Sequence, residues 1–335
     1  MISNNYSALV KAPSVCGRVT AHNRNLYLIE TAQGEARAQL LGSLRYAAVE
    51  QIDLPIVGDY VSLKTEGDIN LIESVLPRAN IFARRAIDGS HSMQAIAANL
   101  DTLFVTIAVN RDFNIRRLER YAVAATAYGV PFAIALTKID LVDDPQAFIE
   151  EVQLVVGDTP VVAVCALDGK GLDCLNQFRG PERTIAFVGS SGAGKSTLIN
   201  ALLGEDMLAV NDIRRHDHRG RHTTTNRLLL RLADGTAIID TPGMREFALA
   251  DAEGGVEQAF QDVTRLAQEC KFGDCSHGTE PGCAVRESIG QSRLDSWRKL
   301  GREAAFEARK SDPRAAAQEK ERWKAIHKAN RRRER

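Results

Sequence analysis

Apolar and polar positions along the chain fall into three successive patterns. Between about Ser14 and Leu76, short runs such as Cys16-Gly17-Arg18-Val19, Leu26-Tyr27-Leu28-Ile29 and Tyr60-Val61-Ser62-Leu63 are punctuated by Gly34, Gly42, Pro55 and Gly58. Brief β-prone runs broken by turn residues predict a small β-barrel, read here as OB-type. Strand and turn spacing does not separate an OB barrel from an SH3-like one, and a barrel alone identifies no ligand.

From Leu100 the pattern changes to apolar strands alternating with amphipathic helices. The runs Leu103 to Val109, Pro131 to Leu136, Pro160 to Val164, Thr184 to Val188 and Thr236 to Ile239 predict strands. The stretches from about Ile115 to Tyr128, Pro145 to Val155 and Thr197 to Leu203 predict helices. Continuous apolar strands separated by helices imply a parallel sheet covered on both faces. Beyond Asp251, helical patterns surround a group of cysteines and a histidine, and from Gln291 the chain reads as charged helix and tail. The expected fold is multidomain α/β, with a barrel over 1–82, an α/β domain over 83–250 and a helical domain with a basic tail over 251–335.

Length and composition agree with this division. A chain of 335 residues holds two or three domains, each able to bury its own core. Hydrophobic content of 44% and charged content of 26% are ordinary globular values, and no apolar run approaches the length of a membrane span. Met1 to Val10 lacks a basic segment followed by an apolar stretch, so a cytoplasmic location with no membrane partner is expected. Net charge is zero but unevenly spread: residues 286–335 hold 16 Lys and Arg against 8 Asp and Glu, a net of +8, leaving −8 on the first 285. The basic end, finishing Arg331-Arg332-Arg333-Glu334-Arg335, has the charge to meet phosphates. Six scattered or clustered cysteines do not suggest an extracellular disulfide framework.

Gly189-Ser190-Ser191-Gly192-Ala193-Gly194-Lys195-Ser196 matches G-x-x-x-x-G-K-[ST] between an apolar strand and a helix that opens at Thr197. Glycines let backbone N–H groups turn in around phosphate oxygens, Lys195 neutralises the β- and γ-phosphates, and the Ser196 hydroxyl suits Mg²⁺. Asp240-Thr241-Pro242-Gly243 follows a strand, as expected of a carboxylate that supports Mg²⁺ and a glycine whose N–H meets the γ-phosphate. Between them lies Gly220-Arg221-His222-Thr223-Thr224-Thr225, a polar loop able to close on the nucleotide. Any of Thr223, Thr224 and Thr225 could supply a hydroxyl to the metal.

Upstream, Thr137-Lys138-Ile139-Asp140 resembles the guanine-reading N-K-x-D motif, in which the Asp accepts from the ring N–H and the exocyclic amine. Adenine offers no such donor pair. Cys165-Ala166-Leu167, at the next strand end, resembles the S-A-x element whose backbone N–H meets the guanine oxygen. Thr137 stands where Asn is usual and Cys165 where Ser is usual. The metal candidates Cys270, Cys275, His277 and Cys283 supply three thiolates and one imidazole, the complement of a closed tetrahedral zinc site with a structural role.

Order makes the reading specific. An ordinary GTPase runs phosphate loop, switch threonine, D-x-x-G, N-K-x-D, S-A-x; here the last two come first, so the cycle is circularly permuted. With the motifs above, the chain resembles the ribosome small-subunit-dependent GTPase A family along essentially its whole length. That resemblance implies an OB-type barrel, a permuted P-loop GTPase domain and a helical zinc-binding domain. It further implies a monomeric factor that binds GTP and GDP, meets the small ribosomal subunit and its rRNA, and acts in late subunit maturation. Many GTPases place a water-orienting glutamine directly after D-x-x-G, where this chain has Met244. A thioether cannot orient water, so slow intrinsic turnover is expected, stimulated by the subunit and coupled to release. His222 is the nearest substitute, a role also suggested for the matching histidine of the family.

Overall fold

The structure, a computed structural model, describes residues 14–23, 25–67, 69–85, 93–204, 227–241 and 253–311. Alternating burial folds the first strands inward: Val19, Ile29, Val61 and Ile72 are fully buried. These strands are β1 (Val15–Asn23), β2 (Leu26–Thr31), β3 (Gly34–Leu40), β4 (Tyr60–Glu66) and β5 (Ile69–Val75). β1 pairs antiparallel with β2 and β4, β2 with β3 and β4 with β5, while β3 runs parallel to β5. The parallel closure, with helix α1 (Gly42–Ala47) following β3, is the OB arrangement. A hairpin of β6 (Ile81–Arg85) and β7 (Met93–Ala98), not expected from the residue pattern, leads out of the barrel.

The α/β sheet contains β8 (Thr102–Ala108), β9 (Phe132–Thr137), β10 (Val161–Val164), β11 (Thr184–Val188), β12 (Leu228–Arg231) and β13 (Ala237–Asp240). Their spatial order is β10-β9-β8-β11-β13-β12, parallel except for β12. Every residue of β8 and β11 is buried, as befits central strands covered on both faces. Phe104 and Phe187 stack across these neighbours at 5.1 Å, with Phe178 edge-on to Phe104 at 5.0 Å. Helices α2 (Ile115–Ala127), α3 (Pro145–Val156) and α4 (Lys195–Leu203) lie between strands. Asn114 and Asp144 cap the first two by accepting backbone N–H bonds.

β12 also pairs antiparallel with β1 through Ala21 and Leu228, so barrel and α/β strands form one eleven-stranded sheet. Polar contacts lock this seam. Arg18 of β1, 2% exposed, donates to Thr184 Oγ1 at 2.7 Å and to the Gly58 carbonyl at 3.3 Å. Arg231 of β12 reaches Glu30 of β2 at 2.6 Å. Beside them, buried Asp59 accepts two bonds of 2.7 Å from Arg78.

The chain divides into two compact units, Met1–Ala248 and Leu249–Arg335. The second contains α5 (Glu253–Ala259), α6 (Gln261–Ala267), α7 (Ala284–Ser288) and α8 (Gln291–Ser311). Its core is small: Val256, Phe260, Val263, Val285, Leu294 and Leu300 are buried. Arg293 supports it by lying 4.5 Å from the Phe260 ring centroid while binding Asp262 at 2.6 and 2.9 Å. Among the described residues, no helix is long and apolar enough to cross a membrane.

Candidate nucleotide site and metal centre

Parallel pairing brings the candidate nucleotide residues to one end of the sheet. β11 runs into Gly189, β9 ends at Thr137, β10 ends one residue before Cys165, and β13 ends at Asp240. The carboxyl ends of parallel strands in an open α/β sheet form its usual ligand crevice. Residues separated by more than fifty positions in the chain thus become neighbours.

The loop from Gly189 to Ser196 is fixed at both ends. Gly189 has φ 154°, and a Cβ there would stand 2.3 Å from the Thr106 carbonyl oxygen of β8, so no larger residue fits. Gly194, at φ 85°, starts α4, whose free N–H groups favour an anion. Ser191, Ser196 and Thr197 are exposed, Ala193 is buried, and Gly192 is left-handed at φ 82°. Lys195 folds back over the loop, donating from Nζ to the Gly189 carbonyl at 3.0 Å and the Ser190 carbonyl at 2.8 Å. Burial lowers its pKa to about 8, against the opposing pull of the Asp240 carboxylate. An ammonium so desolvated gains strongly from phosphate oxygens. Ser196 and Asp240 supply hard oxygen donors, the chemistry Mg²⁺ requires.

The two departures from the usual guanine motifs have structural explanations. Thr137, 2% exposed, donates its hydroxyl to the Ala193 carbonyl at 2.6 Å, tying the end of β9 to the phosphate loop. Lys138 follows in the left-handed region at φ 59°, Ile139 is buried, and Asp140 stands exposed in the short helical turn. The Cys165 thiol is buried. Burial raises its pKa first, and hydrogen bonds to the Asp168 and Asp140 carboxylates push the same way. A buried thiol therefore stands where a serine hydroxyl would, just past the end of the strand that pairs with β9. Ala166 packs partly against the sheet core. His222, Thr223, Thr224, Thr225 and Gly243, with Met244, lie outside the described residues.

In the second unit, the Sγ atoms of Cys270, Cys275 and Cys283 and a ring nitrogen of His277 all lie within 4.8 Å of one another. His277 Nδ1 is 3.5 Å from both Cys270 Sγ and Cys283 Sγ, and those sulfurs are 4.0 Å apart. Such spacing suits a tetrahedral ion with bonds of about 2.0–2.3 Å. The local chain is built to converge. His277 takes φ 57°, and Glu280 pins the turn by accepting from Ser276 N at 3.1 Å and Gly278 N at 2.7 Å. Backbone N–H groups of Val285 and Ala284, at the start of α7, lower the Cys270 thiol, whereas burial pushes the Cys275 thiol up to about 11, so a bound ion would have to displace that proton. Trp297 packs edge-on to the His277 ring at 5.6 Å.

Sequence reasoning did not pick out Asp168, whose carboxylate bears on the buried Cys165 thiol, or Asp112, which accepts from the Ser190 hydroxyl. Both are acidic residues in loops with no motif of their own, and only strand adjacency reveals them.

Comparison with known proteins resolves the family. The RsgA GTPase family model matches residues 75–250. The chain is 43% identical to the small ribosomal subunit biogenesis GTPase RsgA 1 of Listeria innocua, over 96% of this chain and 92% of that one. It is 40% identical to small ribosomal subunit biogenesis GTPase RsgA of Methanosarcina acetivorans, over 93% and 85%.

The chain belongs to the RsgA GTPase family. It is a GTP hydrolase with the permuted RsgA fold. Among solved structures it resembles YjeQ from Thermotoga maritima, with a TM-score of 0.63, 25% identity and coverage of 87% of this chain and 99% of that one. It shares its fold with YloQ, described as a circularly permuted GTPase, with a TM-score of 0.58, 21% identity and coverage of 88% and 96%. The RsgA sheet also accommodates the rotated motif order: β9 and β10 lead into the segments that resemble guanine motifs, and β11 and β13 into those that resemble phosphate motifs, yet all occupy one sheet.

Proposed function

We propose that this GTPase acts on the small ribosomal subunit late in its maturation, hydrolysing GTP to GDP and phosphate and leaving the subunit after hydrolysis. The observation that carries the reading is the convergence of Lys195, Thr137, Asp140, Cys165 and Asp240 at one sheet end, in a chain whose relatives are named for small-subunit biogenesis.

In this reading Gly189, Ser190, Ser191, Gly192, Ala193, Gly194, Lys195, Ser196 and Thr197 cradle the phosphates. Thr137, Lys138, Ile139, Asp140, Cys165 and Ala166 hold guanine, and Thr223, Thr224, Thr225 and Gly243 close on the γ-phosphate. Ser196 and Asp240 would hold Mg²⁺, which neutralises phosphate charge when bound. Cys270, Cys275, His277 and Cys283 would hold one structural Zn²⁺, strengthening a unit whose apolar core is small. His222 orients the attacking water once its loop closes, the task Met244 cannot perform. The barrel of 1–82 and the basic end of 251–335 bind rRNA as a monomer, with the GTPase domain of 83–250 between them in sequence. The seam of Arg18, Arg231 and Glu30 supports a barrel that moves together with the GTPase sheet.

The deciding experiment is GTP turnover with and without purified small subunits. Stimulation of at least about tenfold is expected, equivalent to roughly 1.4 kcal/mol of barrier, weakening as salt screens the phosphate contacts. Equal turnover with and without subunits, at salt concentrations where the two associate, would sink the proposal.

A further inference from the structure

The segment leaving β8 is folded before it reaches α2. Asn110 accepts the Asp112 amide on its side-chain oxygen at 2.9 Å, and its carbonyl accepts the Phe113 amide at 2.9 Å. Asn114 then caps α2. These turns deliver the Asp112 carboxylate to the phosphate loop, where it accepts the hydroxyl of Ser190, itself only 7% exposed. Arg117, on the first turn of α2, grips the same carboxylate with Nη1 at 2.8 Å. This hydrogen bond, the Ser190 hydroxyl and the charges of Arg117 and Lys138 together hold the Asp112 carboxyl below the usual range.

A carboxylate beside a phosphate site normally repels its ligand, so its presence needs a compensating reason. Arg117 neutralises it, and the hydrogen bond to Ser190 completes a set of restraints on the loop. Gly189 rests on the Thr106 carbonyl, Ser190 on Asp112 and Ala193 on Thr137. A loop whose N–H groups must converge on phosphate oxygens binds better when its curvature is set beforehand. Asp112 is placed to set it. Lys138, whose charge bears on Asp112, brings the guanine-reading segment into the same network.

We infer that Asp112, neutralised by Arg117, is a positioning residue for nucleotide binding: it fixes Ser190, and through Ser190 the curvature of the phosphate loop. The inference rests on that loop being the GTP phosphate site. The test uses the full chain and compares Asp112→Asn, Ser190→Ala and the double variant, reading GDP dissociation constants together with KM and kcat for GTP. Each single variant is expected to weaken GDP binding and raise KM about tenfold while kcat stays within about twofold, and the double variant to be no worse than either single. Unchanged affinity in either single variant, or losses that multiply in the double, overturns the inference. Should Asp112→Asn fail to fold, Ser190→Ala decides alone, since it removes one oxygen and an unchanged KM refutes the role. A wild-type chain that binds neither GTP nor GDP would instead overturn the nucleotide reading on which this one stands.

Discussion

Lys195 offers a test of the phosphate site that needs no ribosome. Burial brings its pKa from an ordinary 10.5 down to about 8 in the empty protein. Phosphate oxygens favour the charged ammonium, so the nucleotide complex keeps this proton to higher pH. Below pH 8 the lysine is charged both free and bound, and affinity does not depend on its titration. Above pH 8 the empty protein has lost the proton and binding must restore it, so affinity falls and a proton is taken up. Near pH 9 about one Lys195 in eleven remains charged in the empty protein; GDP affinity there should be about tenfold below its value at neutral pH, roughly 1.4 kcal/mol. Calorimetric GDP titrations across this range, in two buffers of different ionisation enthalpy, read both quantities. The Lys195→Arg variant is the control, because a guanidinium stays charged throughout and any remaining pH dependence belongs to the base. An identical decline in that variant, or affinity and proton uptake flat from pH 7 to 9, refutes the reasoning. The empty fold follows the same linkage: its lowered lysine pKa makes it gain stability as pH rises from about 8 towards 10.5, where the unfolded chain binds more protons.

Two further outcomes are expected. Thr137→Val, which keeps the side-chain shape but removes the hydroxyl bonded to Ala193, should weaken GDP binding by about 1–2 kcal/mol; fluorescent-nucleotide titration checks it, and wild-type affinity would show that the link to the loop is dispensable. Elemental analysis should find one zinc per chain, and chelation should unfold the unit from Leu249 onward while GDP binding is largely retained; a protein purified without chelators that contains no zinc contradicts this.

The central α/β strands were legible because β8 and β11 are largely apolar runs with both faces buried; Thr184 to Val188 coincides with β11. β3 was harder to find. Its sequence, Gly34-Glu35-Ala36-Arg37-Ala38-Gln39-Leu40, alternates weakly because a small barrel buries only Ala38 from it. β12 is four residues long and gains its place by pairing with β13 and β1, information absent from its own side chains. In the site, residue types announced the phosphate loop and the Cys/His group, whose chemistry requires those types at those spacings. The Thr137 and Cys165 substitutions could be noticed but not interpreted until the structure supplied the Ala193 carbonyl as the partner of Thr137 and the burial of the Cys165 thiol. Asp112 had no signal, since an aspartate five residues before Arg117 on a helix start reads as an ordinary surface pair.

The position of β8 bears on how the chain is made. β8 lies between β9 and β11 in the sheet, but β11 begins only at Thr184, long after β10 ends at Val164. During synthesis β8, β9 and β10 therefore emerge first, with β8 as an edge whose seven residues are all destined for burial. That edge is a ready template for mispairing until β11 arrives to cover it. Translation order thus leaves the middle of this sheet exposed as an edge on β8 until the phosphate-loop strand has been translated.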